Sequence, residues 1–234
     1  MRRYAKSGSQ YMNKKYLYGK KQFLEALIKG EEGLRFSDIS HYSRLENELM
    51  RDEETSKQFS IDRYTTRLEI NGNVLNPDDM VDNPIFSIPV RHCYCLCLSN
   101  RKNSEELFDK FDADLCIEID SDKLLEALKF AFSHNFKGME VQARNIIYYD
   151  PIKPPPTLHR EELVFYKPHF FHHEAEFRIA LFYPINKKGF KVKGGIIVPF
   201  ILEDESMHIY ISHSDPRFIA QFILGVTDRN NIDA

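Results

Sequence analysis

Two glutamates and an arginine alternate in the segment His173-Glu174-Ala175-Glu176-Phe177-Arg178-Ile179. Alternate side chains of a β-strand point the same way, so Glu174, Glu176 and Arg178 would share one strand face. Two carboxylates about 7 Å apart on a rigid strand could stabilise a developing positive charge. The pattern also fits a solvated face on which Arg178 pairs with a glutamate. The residues alone leave both interpretations open.

Three histidines, His169, His172 and His173, stand just before the acidic pair. His172 would share a strand face with Glu174 and Glu176, an arrangement that could form a carboxylate–imidazole metal site. No His-x-His or His-Glu-x-x-His pattern supplies further ligands. We therefore expect no metal here, and partly exposed histidines instead.

A second group of acids flanks an apolar stretch: Asp112, Asp114, Glu118 and Asp120. Metal-dependent nucleases hold their metal with acids on sheet strands, but the lysine expected in a Glu-x-Lys pattern is replaced here by Asp120, although Lys123 is nearby. A simpler interpretation is that Asp120 ends the strand and Ser121 caps the next helix. The nuclease remains an alternative function.

The composition is typical of a globular protein, with 42% hydrophobic and 29% charged residues. At 234 residues the chain can bury a core without disulfides or a structural metal. A net charge of −3 gives no global basic field for nucleic acid. The first 21 positions contain basic residues and no acid, and we interpret residues 1–15 as an arm that is either solvated or bound to nucleic acid.

The sequence has no run of about 18 apolar residues and no apolar segment near its start, so we expect no membrane partner and no secretory signal. Three of the four cysteines alternate along Cys93-Tyr94-Cys95-Leu96-Cys97. Neighbouring thiols on one strand face splay too widely for an easy disulfide, and the spacing is not that of a zinc site. Buried free thiols are expected, which fits a cytoplasmic protein.

Hydrophobic periodicity and turn residues divide the chain into short strands with helices between some of them. They predict helices over 20–29, 43–50, 105–111, 122–132 and from 215 to about 225. They predict strands over 16–18, 33–37, 63–69, 92–99, 115–119, 140–149, 176–183, 194–201 and 207–212, with a hairpin turn at Asn71-Gly72. These elements indicate a single α+β domain over residues 16–234, built on a largely antiparallel or mixed sheet with flanking helices.

The order of the short motifs resembles an uncharacterised bacterial domain family of unknown function. Members show an aromatic first strand, a helix, a Leu-x-Phe-Ser strand, a Cys-Phe-Ser segment, a Gly-x-Cys-Ile-x-Phe-Asp-like strand and a late Glu-x-Glu-aromatic-Arg strand. The corresponding segments here are Tyr16-Leu17-Tyr18, Leu34-Arg35-Phe36-Ser37, Cys97-Leu98-Ser99, Leu115 to Asp120, Val141 to Tyr149, and Glu174 to Arg178. The resemblance covers about residues 16 to 182 and is carried by the order of these motifs.

That layout is similar to the ADP-ribosyltransferase fold, which holds NAD between a first-strand Arg or His, a second-strand Ser or Tyr and a late-strand Glu. The resemblance implies that Glu176 or Glu174 is the catalytic acid. It implies an NAD site formed by Tyr18, Arg35, Ser37, Tyr42 and Arg178. Tyr18 stands where those enzymes have Arg or His. This departure leaves three alternatives: Arg35 or Arg178 binds NAD instead, the chemistry differs, or activity is lost.

The chemistry implied by this resemblance is cleavage of nicotinamide from ribose through an oxocarbenium-like state. Glu176 beside the ribose would stabilise that charge in a dry cleft, and Glu174 would orient or deprotonate the acceptor. Ser37 would hold the catalytic glutamate by a hydrogen bond. Tyr18, Phe36 and Tyr42 would offer aromatic faces to the rings of NAD.

The sequence therefore predicts an ADP-ribosyltransferase-like enzyme that consumes NAD and modifies a macromolecular acceptor, with nucleic acid as one candidate, as a toxin or phage-defence effector would. One alternative is a non-catalytic module on the same fold that binds nucleic acid or protein. The other is the metal-dependent nuclease. NAD consumption identifies the first class, and EDTA-sensitive cleavage of RNA or DNA identifies the last.

Overall fold

The computed structural model describes residues 13–45, 51–136, 138–153, 159–202, 205–215 and 217–231. The α-helices in these ranges are α1 (Lys21–Lys29), α2 (Glu105–Lys110), α3 (Ser121–Asn135) and α4 (Arg217–Ala220). The strands are β1 (Lys14–Gly19), β2 (Leu34–Asp38), β3 (Ser56–Ser60), β4 (Glu69–Ile70), β5 (Asn73–Val74), β6 (Ile85–Pro89), β7 (Cys93–Ser99), β8 (Leu115–Asp120), β9 (Glu140–Asn145), β10 (Ile147–Tyr149), β11 (Tyr166–Pro168), β12 (Glu176–Phe182), β13 (Gly189–Lys191), β14 (Ile197–Pro199), β15 (His208–Ile211) and β16 (Ile223–Asp228). None of these helices is long and apolar enough to cross a membrane.

Eight strands form one antiparallel sheet, which confirms the predicted α+β class with a largely antiparallel sheet. Six of them follow the order β15-β2-β7-β1-β8-β16, and β12 joins β7 to β9. The pairing of β10 with β11 is parallel and lies outside this sheet. Each pairing in this sheet joins strands that are not consecutive in the chain, so strands far apart in sequence meet at β7.

The centre of the sheet contains a fork. On one edge, β7 pairs along its whole length with β12. On its other edge it pairs with β2 near one end, through Ser37 and Cys95, and with β1 at the other end, through Tyr16 and Ser99. Between these contacts, β1 and β2 separate from each other. The fork leaves room for a cavity over the middle of β7.

The two faces of the sheet bury different cores because side chains alternate along each strand. Tyr94, Leu96 and Leu98 of β7 point into a core that includes α1 and α3. Cys93, Cys95 and Cys97 point to the opposite side, which is covered by the segment 160–168 and by β3. All four cysteines are free thiols, and Cys97 is only half-buried. The alternation predicted for this strand is therefore confirmed.

Helix α1 shows how local sequence sets these elements. Its apolar residues recur at helical spacing, so Leu24 and Leu27 are buried. The helix ends at Gly30, which adopts the left-handed conformation at φ 73° and donates its N–H to carbonyls of the last turn. Glycine reaches this conformation without steric cost. The predicted helix and its stop are confirmed.

Several predicted elements are wrong. Of the helix predicted over 43–50, residues 46–50 lie outside the described residues, and Ser43 and Arg44 instead end a 3-10 helix, Ile39–Arg44. The strand expected over 63–69 is reduced to β4, although the turn at Asn71-Gly72 does join β4 to β5. Both turn residues have positive φ, as the tightest hairpin turns require.

The start of α3 and the end of α4 also differ from the predictions. The cap of α3 is Asp120, whose side chain accepts the Lys123 N–H, whereas Ser121 donates its hydroxyl to the Asn13 carbonyl. The last helix stops at Ala220, and the apolar residues after it form β16, because the edge of β8 offers them a strand partner. Tertiary pairing overrides the helical pattern there.

The basic arm was predicted to end at residue 15. Lys14 and Lys15 instead belong to β1, which pairs with β8 from Lys14 onward. Lys14 also forms an ion pair with Glu118. Residues 1–12 of the predicted arm lie outside the described residues.

Candidate active site

A cavity of about 320 Å³ occupies the fork between β1 and β2. Its walls come from β1, α1, β2, the middle of β7 and the segment leading into β12. Six of the seven residues proposed from the sequence line it: Tyr18, Arg35, Ser37, Tyr42, Glu174 and Glu176. The seventh, Arg178, does not line the cavity but binds Glu176, which does. Residues far apart in sequence therefore converge on one hollow.

The backbone turns sharply between the two glutamates. Glu174 ends a 3-10 helix, and Ala175 adopts the left-handed conformation at φ 44° and ψ 48° before β12 starts at Glu176. The Ala175 carbonyl accepts two hydrogen bonds from Asn100, from its backbone N–H at 2.9 Å and its side-chain amide at 2.6 Å. The shared strand face was thus predicted correctly for Glu176 and Arg178 and wrongly for Glu174, because this turn interrupts the strand.

Ala175 pays a steric penalty in this conformation that glycine would not. We expect Ala175→Gly to leave the melting temperature unchanged or raise it by a few degrees, and Ala175→Val to lower it, since a β-branched residue at positive φ is strained. Ala127→Gly in α3 is the matched control and should lower stability by about 1 kcal/mol. Thermal unfolding measures the stability of all three variants. If Ala175→Gly destabilises the protein as much as the control does, Ala175 is not strained.

Glu176 and Arg178 are buried at the start of β12, with exposed fractions of 3% and 0%. Arg178 Nε lies 2.6 Å from Glu176 Oε1, and the two guanidinium Nη atoms lie 3.0 and 2.7 Å from the two carboxylate oxygens of Glu54. Arg178 Nη1 also donates a hydrogen bond to the Val164 carbonyl at 2.7 Å. The solvated-face interpretation of this strand is therefore wrong.

Lys167 connects the two glutamates of the candidate site. Its Nζ lies 2.7 Å from Glu174 Oε2 and 3.4 Å from Glu176 Oε2. Lys57 pairs in the same way with Glu54, at 2.6 Å between Nζ and Oε2. Three cations and three carboxylates thus form one buried network beneath the cavity, and paired charges of this kind avoid the large cost of an isolated buried charge.

The two cavity glutamates have opposite electrostatic environments. Burial would raise the pKa of Glu176, but the charges of Arg178 and Lys167 overcome it and hold the pKa at about 2. For Glu174 burial prevails and, with the negative charge of Glu176, raises the pKa to about 7 in spite of Lys167. Glu176 is therefore ionised at every physiological pH, whereas Glu174 can exchange a proton near neutrality.

Glu174 and Glu176 also differ in how many of their carboxylate oxygens already accept hydrogen bonds. Both oxygens of Glu176 are occupied by Arg178, and one of them is shared with Lys167. Glu174 Oε2 accepts from Lys167, and the hydrogen bonds of the described residues leave its Oε1 without a donor. Glu174 is consequently the carboxylate that can still bind a ligand.

The opposite end of the cavity carries Arg35 and Ser37. Ser37 Oγ lies 3.2 Å from His208 Nδ1, and Arg35 Nη2 lies 2.7 Å from His208 Nε2. Burial and the Arg35 charge lower the pKa of His208 to about 4, so its ring is neutral, with one nitrogen that accepts a hydrogen bond and one that donates. The hydrogen bond expected between Ser37 and the catalytic glutamate is replaced by this one.

The two ends are separated along β7. Ser37 pairs with Cys95 and Glu176 pairs with Ser99, four residues further on. Four residues of strand span about 13 Å. The cavity is therefore elongated, with carboxylates and a lysine at one end and an exposed arginine at the other.

Aromatic side chains form the walls between these ends. Tyr18 donates its hydroxyl to the Arg101 carbonyl at 2.7 Å and packs edge-to-face on Phe108. Tyr42 is half-buried, and its hydroxyl lies 3.0 Å from Cys97 Sγ. Both rings are thus held by contacts behind them, which suits a wall against which a planar group packs.

Sequence reasoning missed Glu54, Lys57, Lys167 and His208. Glu54 stands in the charged run Arg51-Asp52-Glu53-Glu54, and nothing in its neighbourhood distinguishes it. Lys167 could have been found, because it directly follows the apolar run Leu163-Val164-Phe165-Tyr166. A lone lysine in a buried strand needs an acid partner. Its partners follow within ten residues.

Three of the four acids considered for a nuclease are paired with a cation, and the fourth, Asp114, accepts a backbone N–H. Glu118 contacts Lys14 and Lys102, and Asp120 contacts Lys123. Asp112 contacts Lys20, and Asp114 accepts the Lys21 N–H. No cluster of His, Cys, Asp and Glu able to hold a metal occurs within the described ranges. His169 and His172 stack on each other on the surface.

The arrangement defines an α+β protein with an elongated, aromatic-walled cavity and a carboxylate–lysine end. Comparison of the chain with protein-family models, with curated proteins and with solved structures finds no match.

Proposed function

We propose that this protein is an ADP-ribosyltransferase-like enzyme that binds NAD in the fork cavity, cleaves the bond between nicotinamide and ribose, and transfers ADP-ribose to a macromolecular acceptor. The supporting observation is the convergence of Tyr18, Arg35, Ser37, Tyr42, Glu174 and Glu176 on one cavity. A volume of about 320 Å³ is at the lower end for ligand sites, so part of a dinucleotide would extend past the rim.

The two ends of the cavity suit the two chemical ends of such a ligand. The nicotinamide riboside half would lie at the carboxylate end, where bond cleavage creates positive charge on the ribose. The pyrophosphate would lie near Arg35, whose guanidinium provides a charged fork for phosphate oxygens. The separation of about 13 Å between these ends is consistent with an extended ligand.

In this proposal the two glutamates exchange the roles that the resemblance implies for them. Glu176 is saturated by Arg178 and Lys167, and it serves as a fixed charge that holds Lys167 in place. Glu174 has the open oxygen and would face the ribose. In a site of low dielectric its carboxylate stabilises a nascent cation far better than water does.

The experiment is incubation of the purified protein with NAD, with released nicotinamide and thermal unfolding as the two readouts. We expect nicotinamide release, with water as the default acceptor, and a higher melting temperature when NAD is in excess. Protection without release would favour the non-catalytic module. Absence of both effects at millimolar NAD would refute the proposal.

The pH dependence provides an independent check. If the ionised Glu174 is the active form, the rate of nicotinamide release should rise about tenfold per pH unit below its pKa of about 7 and level off above it. Glu176, with a pKa of about 2, stays ionised and adds no step in this range. A rate that falls between pH 6 and 8 contradicts this assignment.

A further inference from the structure

Lys167 of β11 lines the fork cavity, although its side chain is almost completely buried, with an exposed fraction of 5%. Its ammonium group lies between the two glutamates of the candidate site, as described above, and 4.5 Å from the centroid of the Phe171 ring. Burial would lower the pKa of Lys167, but the charges of Glu176 and Glu174 raise it, so the side chain stays protonated. Two carboxylates and an aromatic face therefore enclose a permanent cation.

The ion pair between Lys167 and Glu174 closes the segment that brings Glu174 to the cavity. Lys167 stands just before the 3-10 helix His169–Glu174, and Glu174 is the last residue of that helix. The Ser99 hydroxyl donates to the Glu174 carbonyl at 2.7 Å. The backbone of Glu174 is thus held by Ser99 and its Oε2 atom by Lys167, which leaves Oε1 as the oxygen open to a ligand.

Strand pairing fixes the position of Lys167 itself. In the parallel ladder of β10 and β11, Lys167 is the partner of Tyr148. The Tyr148 hydroxyl accepts the backbone N–H of Glu176 at 2.8 Å. One strand, β10, therefore holds both Lys167 and the start of β12, and the distances from the ammonium group to the carboxylates do not depend on a free loop.

The charged and titratable groups around Glu174 come from three strands: Tyr148 of β10, Lys167 of β11, and Glu176 and Arg178 of β12. Burial and the Glu176 charge raise the pKa of Glu174, and the charges of Lys167 and Arg178 oppose them. Arg178 binds Glu176, so among the described residues Lys167 is the cation in contact with the Glu174 carboxylate. Without Lys167, the remaining influences at this carboxylate mainly favour protonation.

The resemblance implied that Ser37 holds the catalytic glutamate, but Ser37 contacts His208 and lies about 13 Å along β7 from the position of Glu176. Lys167 makes the contact that was expected of Ser37. We propose that Lys167 is the positioning residue of the fork cavity: it keeps Glu174 ionised and leaves its Oε1 atom free to face the ribose. This role rests on the proposed cleavage of NAD.

The test uses Lys167→Met and Lys167→Gln, which remove the charge, and Lys167→Arg, which keeps it. Glutamine retains a donor for Glu174 and serves if methionine prevents folding. Lys57→Met is the matched control, because Lys57 is also a buried lysine of the network, pairs with Glu54 at 2.6 Å and does not line the cavity. Two quantities are measured against pH: nicotinamide release, and the carbon-13 chemical shift of the Glu174 carboxyl group, assigned from its absence in Glu174→Gln.

In the uncharged variants, we expect the midpoints of both curves to move from about 7 to a pH that is higher by about one unit or more. Nicotinamide release at pH 7 should then fall about tenfold, and a higher pH should restore most of the rate, which a purely structural defect would not allow. Lys167→Arg and Lys57→Met should keep the midpoint within about half a unit, although Lys57→Met should lower the melting temperature.

Midpoints in the uncharged variants equal to those of the unsubstituted protein, or an equal shift in Lys57→Met, would overturn this role of Lys167. If the unsubstituted protein releases no nicotinamide, the proposed function fails. The titration of the carboxyl group then decides by itself whether Lys167 controls the charge of Glu174.

Discussion

Glu174→Gln should reduce nicotinamide release from NAD by about 100-fold or more while changing the melting temperature by no more than about 2 °C. The expected loss is that of a preorganised group aimed at charge that develops in the transition state. Glutamine keeps the shape of the side chain, so binding of NAD should change much less than the rate of its cleavage. The effect should therefore appear in kcat and not in KM.

The small change in stability follows from the raised pKa of Glu174. Its value rises from 4.5 to about 7 on folding because burial disfavours the charged form. Between these values the unfolded state binds fewer protons than the folded state, so keeping this carboxylate ionised costs folding free energy as pH rises. Glutamine removes that cost and loses the Lys167 ion pair, and the two effects oppose each other. Lys167 retains Glu176 as a partner.

Two further substitutions make this result decisive. Glu126→Gln on the exposed side of α3 should leave both rate and melting temperature unchanged. Glu176→Gln should lower the melting temperature, because its depressed pKa means that the fold gains from its charge. If Glu174→Gln releases nicotinamide at the rate of the unsubstituted protein, Glu174 takes no part in the cleavage of NAD.

The sequence predicts the parts of this site that depend on local pattern. Strand alternation places Glu176 and Arg178 on one face, and Gly30 ends α1 where expected. The residues that the motif order proposes on β1, β2 and β12 line one cavity. The shared strand face and the helix end depend on neighbours within a few residues, where periodicity and turn chemistry carry information.

Other features depend on contacts that no local pattern encodes. Glu54 meets Arg178 across 124 residues of chain, so its role becomes visible only once β3 and β12 are placed. The left-handed turn at Ala175 has no glycine to signal it, and it is held by Asn100 from another strand end. Such partners are chosen by tertiary structure, which also turns the residues after Ala220 into β16.

Arg178→Met should destabilise the protein by about 3–5 kcal/mol, which for a chain of this size lowers the melting temperature by about 10 °C. Arg178 is fully buried and is the shared partner of Glu54 and Glu176. Methionine fills much of the volume but removes the cation that Glu54 and Glu176 share, and among the described residues Lys57 and Lys167 remain beside these carboxylates. Unpaired buried charge is the dominant cost.

Arg144→Met is the matched control, since Arg144 lies directly opposite Arg178 in the β9–β12 ladder but pairs with Glu162 on the surface. Its melting temperature should stay close to that of the unsubstituted protein, because exposed ion pairs contribute little. Adding Glu54→Gln to Arg178→Met should recover part of the loss, because the second change removes one of the stranded charges. A recovery of stability in the double variant would show that the two positions interact energetically, because the effects of independent sites add. Equal melting temperatures for Arg178→Met and Arg144→Met would mean that the network beneath the cavity is not a buried, mutually dependent unit.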